Sequence, residues 1–213
     1  MELLSRLIEL FRHFDPQHLC DFIKEYGTWT YLILFVIVFC ETGLVVTPFL
    51  PGDSLLFAAG AVAAMGSLDA TWLFVLLSAA AIVGDTVNYW LGNYIGPRAF
   101  GGQFRFIKQE HLDRTHRFYE KYGGKTIILA RFIPIIRTFA PFVAGIGTMS
   151  YGRFIAYNVI GGMAWVAVFV FFGYRFGSIP WVQDHFSVVV VAIIVISVMP
   201  MAVELYRARL RRP

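Results

Sequence analysis

Four charged residues of this sequence lie in apolar stretches that prolines interrupt. Glu41 and Asp53 accompany the segment Pro48–Gly52, and Arg131 and Arg137 stand three residues either side of a proline. Each such charge at a bilayer centre costs about 2.5–3.5 kcal/mol, so four unpaired charges would cost on the order of 10–14 kcal/mol. We therefore expect the acids and the arginines to pair or to line a wet cavity. Charges beside broken helices at membrane depth are typical of a transport site.

The two arginines are suited to binding a phosphate group. A guanidinium group binds phosphate oxygens in bidentate fashion and stays charged when it is buried. Arg131 and Arg137 would lie on different faces of a regular helix, but a break at Pro134 would let both turn toward one point. A phosphate brings about −1.5 to −2 charges, and this would favour proton uptake by Glu41 or Asp53. The residue types are therefore suited to couple the binding of a phosphate group to the uptake of a proton.

The composition indicates a membrane protein. Of 213 residues, 58% are hydrophobic and 15% are charged, whereas a soluble domain has about 25% charged residues. The stretches Phe154–Tyr174 and Phe186–Val203 contain no charge and could each cross about 30 Å of hydrocarbon. Cys20 and Cys40 are too few for a disulfide framework. We expect no cofactor, no metal site and no nucleic-acid partner.

The pattern predicts an all-α integral membrane protein: two opposed re-entrant hairpins packed with about four transmembrane helices, plus interfacial amphipathic helices. We treat residues 1–213 as a single domain. Its predicted parts are an amphipathic N-terminal helix (1–25), a first half (27–96) that contains a re-entrant hairpin (47–67), a basic cytoplasmic segment (97–125), a second re-entrant hairpin (126–148) with its tip near Thr138–Pro141, two spans (151–206) and a basic tail (207–213). Loops rich in Lys and Arg stay in the cytoplasm, which places the C-terminus inside.

Five sequence motifs together resemble the bacterial DedA family, which shares a fold with lipid scramblases of the endoplasmic reticulum. The motifs are the intramembrane Glu41, PFLPGDSLL, GDTVNYWLGNYIG, RFIPIIRTFAPFVAG and the later Met149 and Phe154. The resemblance implies a translocase of the bacterial inner membrane that returns undecaprenyl phosphate from the outer to the inner leaflet. It also implies dependence on the proton gradient. The family positions that match Glu41, Asp53, Arg131 and Arg137 are the ones that such a translocase requires.

Several residues allow more than one interpretation. Asp53 could simply cap the helix that follows it, and Glu41 could lie at the interface. Asp85 lies mid-span among glycines and is an additional candidate proton site. Pro51 and Gly52 would shape the first hairpin, as Pro134 would shape the second.

Three functional alternatives also remain. A lipid phosphatase would need a nucleophilic histidine near the arginines, and no histidine lies beside them in the sequence. A proton-coupled exporter of small cations or drugs would use the acids as its site, with the arginines as structural partners. An uncoupled phospholipid scramblase would need no proton.

Overall fold

The chain folds into helices throughout the residues that the computed structural model describes, which are 26–44, 52–100, 124–147, 149–186, 188, 189, 191–193 and 195. The helices are α1 (Trp29–Gly43), α2 (Gly52–Ala64), α3 (Ala70–Phe100), α4 (Lys125–Ala130), α5 (Pro134–Ile146), α6 (Tyr151–Gly177) and α7 (Pro180–Asp184). The prediction of an all-α fold is confirmed for these residues. Several predicted segments lie outside the described residues. They are the N-terminal helix 1–25, the part of the first predicted hairpin that contains Pro51, nearly all of the basic segment, the end of the last span and the tail.

Two helices are long and apolar enough to cross a membrane, among the residues that the structure describes. They are Ala70–Ile95 within α3 and Tyr151–Gly177, which is α6. At 1.5 Å per residue each extends about 40 Å, which exceeds the roughly 30 Å of a hydrocarbon core. The span predicted over the charge-free stretch 154–174 lies within α6. Three shorter helices, α1, α2 and α5, are also apolar.

The segment 126–148, for which a second re-entrant hairpin is predicted, contains two short helices that pack against each other, α4 and α5. Helix α4 ends at Ala130; Arg131 keeps helical dihedral angles (φ −61°, ψ −27°), whereas Ile133 is extended (φ −118°, ψ 107°) before Pro134 begins α5. A proline disfavours helical backbone in the preceding residue and fits the first helical position. The predicted tip near Thr138–Pro141 is wrong, because those residues lie inside α5. The helix continues through Pro141 and forgoes one backbone hydrogen bond there.

A tight turn joins α2 to α3. Gly66 has a φ of +80°, a conformation that suits glycine. Asp69 then caps α3, because its Oδ1 accepts a hydrogen bond from the backbone N–H of Trp72 at 2.8 Å. The phenolic oxygen of Tyr31 accepts a hydrogen bond from the backbone N–H of Asp69 at 2.7 Å, which fastens the turn to α1.

The chain divides into two compact units, which we describe separately. The first takes its described residues from 1–34, 51–75 and 166–213. Here α2 and the end of α6 touch through their backbones: a Cβ on Gly60 would lie 2.3 Å from the carbonyl oxygen of Val170, and one on Gly173 would lie 2.1 Å from that of Phe57. Phe57 also packs in a small core with Phe186.

The second unit takes its described residues from 35–50 and 76–165. It contains the end of α1, most of α3, the short helices α4 and α5 and the first half of α6. Its apolar core consists of Tyr89, Ile127, Ala130, Ala140, Ala144 and Phe154. Glu41, Asp85, Arg131 and Arg137 all belong to this unit.

Candidate functional site

Arg131 lies directly after α4 and is almost completely buried, at 3% exposure. Its Nη2 forms an ion pair with Oδ2 of Asp85 on α3 and also donates a hydrogen bond to Oδ1 of Asn158 on α6. Asn158 in turn donates to the carbonyl oxygen of Ile82 at 3.0 Å. Three helical elements therefore meet at this guanidinium group.

Arg137 lies in the first turn of α5 and pairs with Glu41 near the end of α1, through Nη2 and Oε1. The two residues are 7% and 1% exposed. The guanidinium carbon of Arg137 also lies 4.8 Å from the ring centroid of the buried Trp165, a cation–π arrangement. The expected pairing of an arginine with Glu41 is thus present in the structure.

Asn88 fastens the two backbones that carry this ion pair. Its Nδ2 donates to the carbonyl oxygen of Thr42 at 3.2 Å and to that of Thr138 at 2.7 Å. Thr42 follows Glu41 and Thr138 follows Arg137 in the sequence. Because the amide is fully buried, these two hydrogen bonds fix how far apart α1 and α5 lie beside the pair.

Glycines on α3 let the neighbouring helices approach closely enough for these contacts. A Cβ on Gly84 would lie 2.0 Å from Oγ1 of Thr42 on α1. Farther along α3, a Cβ on Gly92 would lie 2.1 Å from the carbonyl oxygen of Phe142 on α5. Small residues at such crossings allow helix backbones to touch in membranes. Gly84 and Gly92 therefore act as packing residues at these crossings.

The other predicted site residues are placed as follows. Gly52 begins α2, and Asp53 lies in its first turn, 7% exposed, where a carboxylate interacts favourably with the helix dipole. Both belong to the first unit, whereas Glu41, Arg131 and Arg137 belong to the second. Pro51 lies outside the described residues.

Glu41, Asp85, Arg131 and Arg137 form what we call the paired-charge cluster. Its two carboxylates balance its two guanidinium groups. Each guanidinium group pairs with one of the carboxylates, Arg131 with Asp85 and Arg137 with Glu41. Burial without a countercharge would cost several kcal/mol per ion. Such a cluster can exchange a carboxylate for another anion, provided that the displaced carboxylate is neutralised.

Sequence reasoning missed two contributors to this site, Asn158 and Trp165, and did not identify the partner of Asp85. Asn158 is an amide within the charge-free stretch 154–174, and a polar residue in the middle of a span is itself a signal. Trp165 gave no signal, because tryptophans are common in such helices. Asp85 was interpreted as an additional proton site, whereas it is the direct ion-pair partner of Arg131.

Comparison with known proteins identifies one matching family and several similar membrane proteins. The VTT domain family matches residues 50–175. Protein DedA of Escherichia coli K12 is 55% identical over 210 residues, which cover 97% of this chain and 95% of that protein. An uncharacterized membrane protein of Mycobacterium tuberculosis is 39% identical over 205 residues, covering 93% and 90% of the two chains. The inner membrane protein YqjA of E. coli K12 is 33% identical over 181 residues, covering 84% and 81%.

No solved structure gives a significant match. The family match covers more than half of the chain, and the relatives extend over nearly all of it. The resemblance drawn from the five motifs is therefore confirmed. The chain belongs to the DedA family of membrane proteins, whose shared region is the VTT domain.

Proposed function

We propose that this protein moves undecaprenyl phosphate, or a related anionic lipid, from the outer to the inner leaflet of the bacterial inner membrane. The observation that carries the proposal is the pair of buried arginines, Arg131 and Arg137, each held by a carboxylate among apolar helices. A buried arginine is the side chain best suited to hold phosphate oxygens where water is scarce. The relative YqjA is named an inner membrane protein, which supports the inner-membrane location.

The charge balance of the cluster supports coupling to protons. Two guanidinium groups and two carboxylates sum to zero, and a phosphate monoester would add about −1.5 to −2 charges. A buried site carrying that excess is strongly unfavourable. Uptake of one proton by each of Glu41 and Asp85 as the phosphate binds would remove this excess. The headgroup would then cross as a nearly neutral assembly, and proton release on the cytoplasmic side would free it.

Asp53 is part of the proposal on different grounds. It is buried in the first turn of α2, and the family resemblance assigns it a required carboxylate. We propose that it serves as a further proton-accepting group. The basic tail that contains Arg207, Arg209, Arg211 and Arg212 supports a cytoplasmic C-terminus.

The test is lipid movement by purified protein in liposomes that contain undecaprenyl phosphate and an imposed pH gradient. We expect the wild type to move the lipid between leaflets, at a rate that depends on the gradient. Arg131→Lys and Arg137→Lys should each abolish movement, because an ammonium group cannot bind two phosphate oxygens in the planar fork. The exposed Arg153 provides the control, since Arg153→Lys should retain wild-type movement.

Other outcomes would identify the alternatives. Transport of aqueous cations without lipid movement, insensitive to both arginine substitutions, would favour an exporter that uses the carboxylates alone. Lipid movement that needs the arginines but ignores the pH gradient would indicate an uncoupled scramblase. Full activity of both lysine variants would refute the phosphate-binding role of the arginines.

A further inference from the structure

The guanidinium group of Arg131 holds its two protein partners on one nitrogen. Nη2 donates both to the carboxylate of Asp85 and to the amide oxygen of Asn158. One of these partners can gain or lose a proton, and the other cannot, because an amide does not titrate near neutral pH. The two partners come from different helices, α3 and α6.

The adjacent donor, Nε, is buried and has no hydrogen-bond partner among the residues that the structure describes. In a guanidinium group, Nε and Nη2 present their hydrogens along the same edge, and this edge accepts a bidentate oxyanion. Asp85 contacts only the Nη2 end of that edge. A phosphate has enough oxygens to contact both ends.

Bare helix backbone on α6 makes room for this arginine. A Cβ on Gly161 would lie 3.2 Å from Cδ of Arg131, and a Cβ on Gly162 would lie 3.3 Å from its Nη1. The Arg131 side chain is therefore packed along α6, one turn after Asn158. Asn158 is fixed in its turn by its hydrogen bond to Ile82 on α3.

We infer that Asn158 is a positioning residue for Arg131: it keeps Nη2 in place while a phosphate replaces Asp85 along the Nε–Nη2 edge. This inference rests on the proposed function. During the exchange, Asp85 leaves Nη2 and takes up a proton, and the phosphate oxygens accept from Nε and Nη2. Asn158 remains bound throughout, so the guanidinium group does not follow the departing carboxylate. The only covalent bond that forms in this exchange is the O–H bond of the protonated Asp85.

The charged groups around Asn158 determine how a substitution at position 158 should affect phosphate binding to Arg131. Asp85 on α3 and Arg131 after α4 meet at this site, and Arg137 on α5 contributes its field at Asp85. On α6 itself, Arg153 and Arg175 are exposed to the surroundings of the protein. A carboxylate at position 158 would therefore compete directly with phosphate for Arg131.

The experiment compares undecaprenyl phosphate movement in liposomes across a series of pH values for the wild type, three variants and one control. In Asn158→Asp, we expect the rate maximum to move to lower pH by about one unit or more, because the added carboxylate must be protonated before phosphate can bind. In Asp85→Asn, we expect slower movement and a weaker pH dependence, because Glu41 and Asp53 remain as proton acceptors. The exchange variant Asp85→Asn/Asn158→Asp keeps one carboxylate on Nη2, and should regain both movement and pH dependence.

Thr86→Val is the matched control. Thr86 Oγ1 lies 3.5 Å from Nδ2 of Asn158, at the end of the amide that faces away from Arg131. Its loss should leave the pH profile unchanged. A role for Asn158 in helix packing alone predicts that Thr86→Val and Asn158→Asp lower the rate equally at every pH.

The outcomes separate this inference from the proposed function. Lipid movement by the wild type together with an unshifted profile for Asn158→Asp would overturn the inference and leave the function standing. An exchange variant no better than Asp85→Asn would do the same. If Asp85→Asn and Asn158→Asp each fail to accumulate in membranes but the exchange variant does accumulate, that result would support the inference. Failure of all three variants to accumulate would count against it. A wild type that moves no undecaprenyl phosphate would overturn both.

Discussion

The ion pair between Arg137 and Glu41 provides the sharpest test of what the buried charges do. We consider Arg137→Met, which keeps an unbranched side chain but removes the charge. Glu41, at 1% exposure, would then be a buried carboxylate without its guanidinium partner. Removing one member of a buried pair costs about 3–5 kcal/mol. We count the lost cation–π contact between Arg137 and Trp165 within this figure. Such contacts contribute up to about 2 kcal/mol when they are desolvated.

The double variant Glu41→Gln/Arg137→Met separates stability from transport. With the carboxylate replaced by an amide, no uncompensated charge remains, and replacing a buried ion pair by neutral groups is often nearly neutral. We expect the double variant to recover most of the lost free energy of unfolding, to within about 1–2 kcal/mol of the wild type. Its transport should nevertheless stay absent, because one of the two phosphate-binding arginines and one of the proton-accepting carboxylates are gone.

The measurement is the free energy of unfolding in mixed micelles, alongside lipid movement in liposomes for the same preparations. Arg153→Met applies the same substitution at an exposed arginine, and its stability should change by no more than about 0.5 kcal/mol. If the double variant is as unstable as Arg137→Met, the loss in free energy of unfolding does not arise from the Glu41 carboxylate that has lost its arginine. A stable double variant with wild-type transport would refute the assignment of this pair to the transport site.

Two further substitutions test how the site is positioned. Gly84→Ala should lower the free energy of unfolding by about 1–3 kcal/mol and reduce transport, because the added methyl meets Oγ1 of Thr42 and displaces α1. Gly152→Ala on α6 has open space around it and should instead be neutral or slightly stabilising; equal effects of the two would contradict the packing argument. Tyr89→Phe removes the hydrogen bond from the phenolic O–H to the carbonyl oxygen of Met149 and should cost about 1 kcal/mol. An unchanged denaturation midpoint would show that this bond does not tie the α5–α6 connection to α3.

Several features of the fold could be predicted because they depend on local chemistry. The two long helices follow from uninterrupted apolar stretches. The helix break before Pro134 follows from the steric effect of proline on Ile133, which is extended in the structure. The position of the hairpin tip was misplaced toward Pro141, because a proline within an apolar helix can be accommodated at the loss of one hydrogen bond. Sequence alone does not show which of two prolines ends a helix.

The sequence also identified the arginines and Glu41 as charges that need partners, because unpaired charges are too costly at membrane depth. It could not identify the partners. Arg131 and Asp85 are 46 residues apart, and Arg137 and Glu41 are 96 residues apart. The roles of Asn88 and Asn158 were equally hidden, since an amide shows no preference among the helices it could join.

The sequence by itself therefore determined the kind of protein, its apolar helices and the charges that must be neutralised within them. Tertiary structure decided that Arg131 pairs with Asp85, that Arg137 pairs with Glu41, and that amides fasten both pairs. The physical reason is that each pairing depends on which helices are neighbours and on how each is rotated about its axis. Close contacts such as the one between Gly84 and Gly43 set that geometry, and it exists only once the chain has packed.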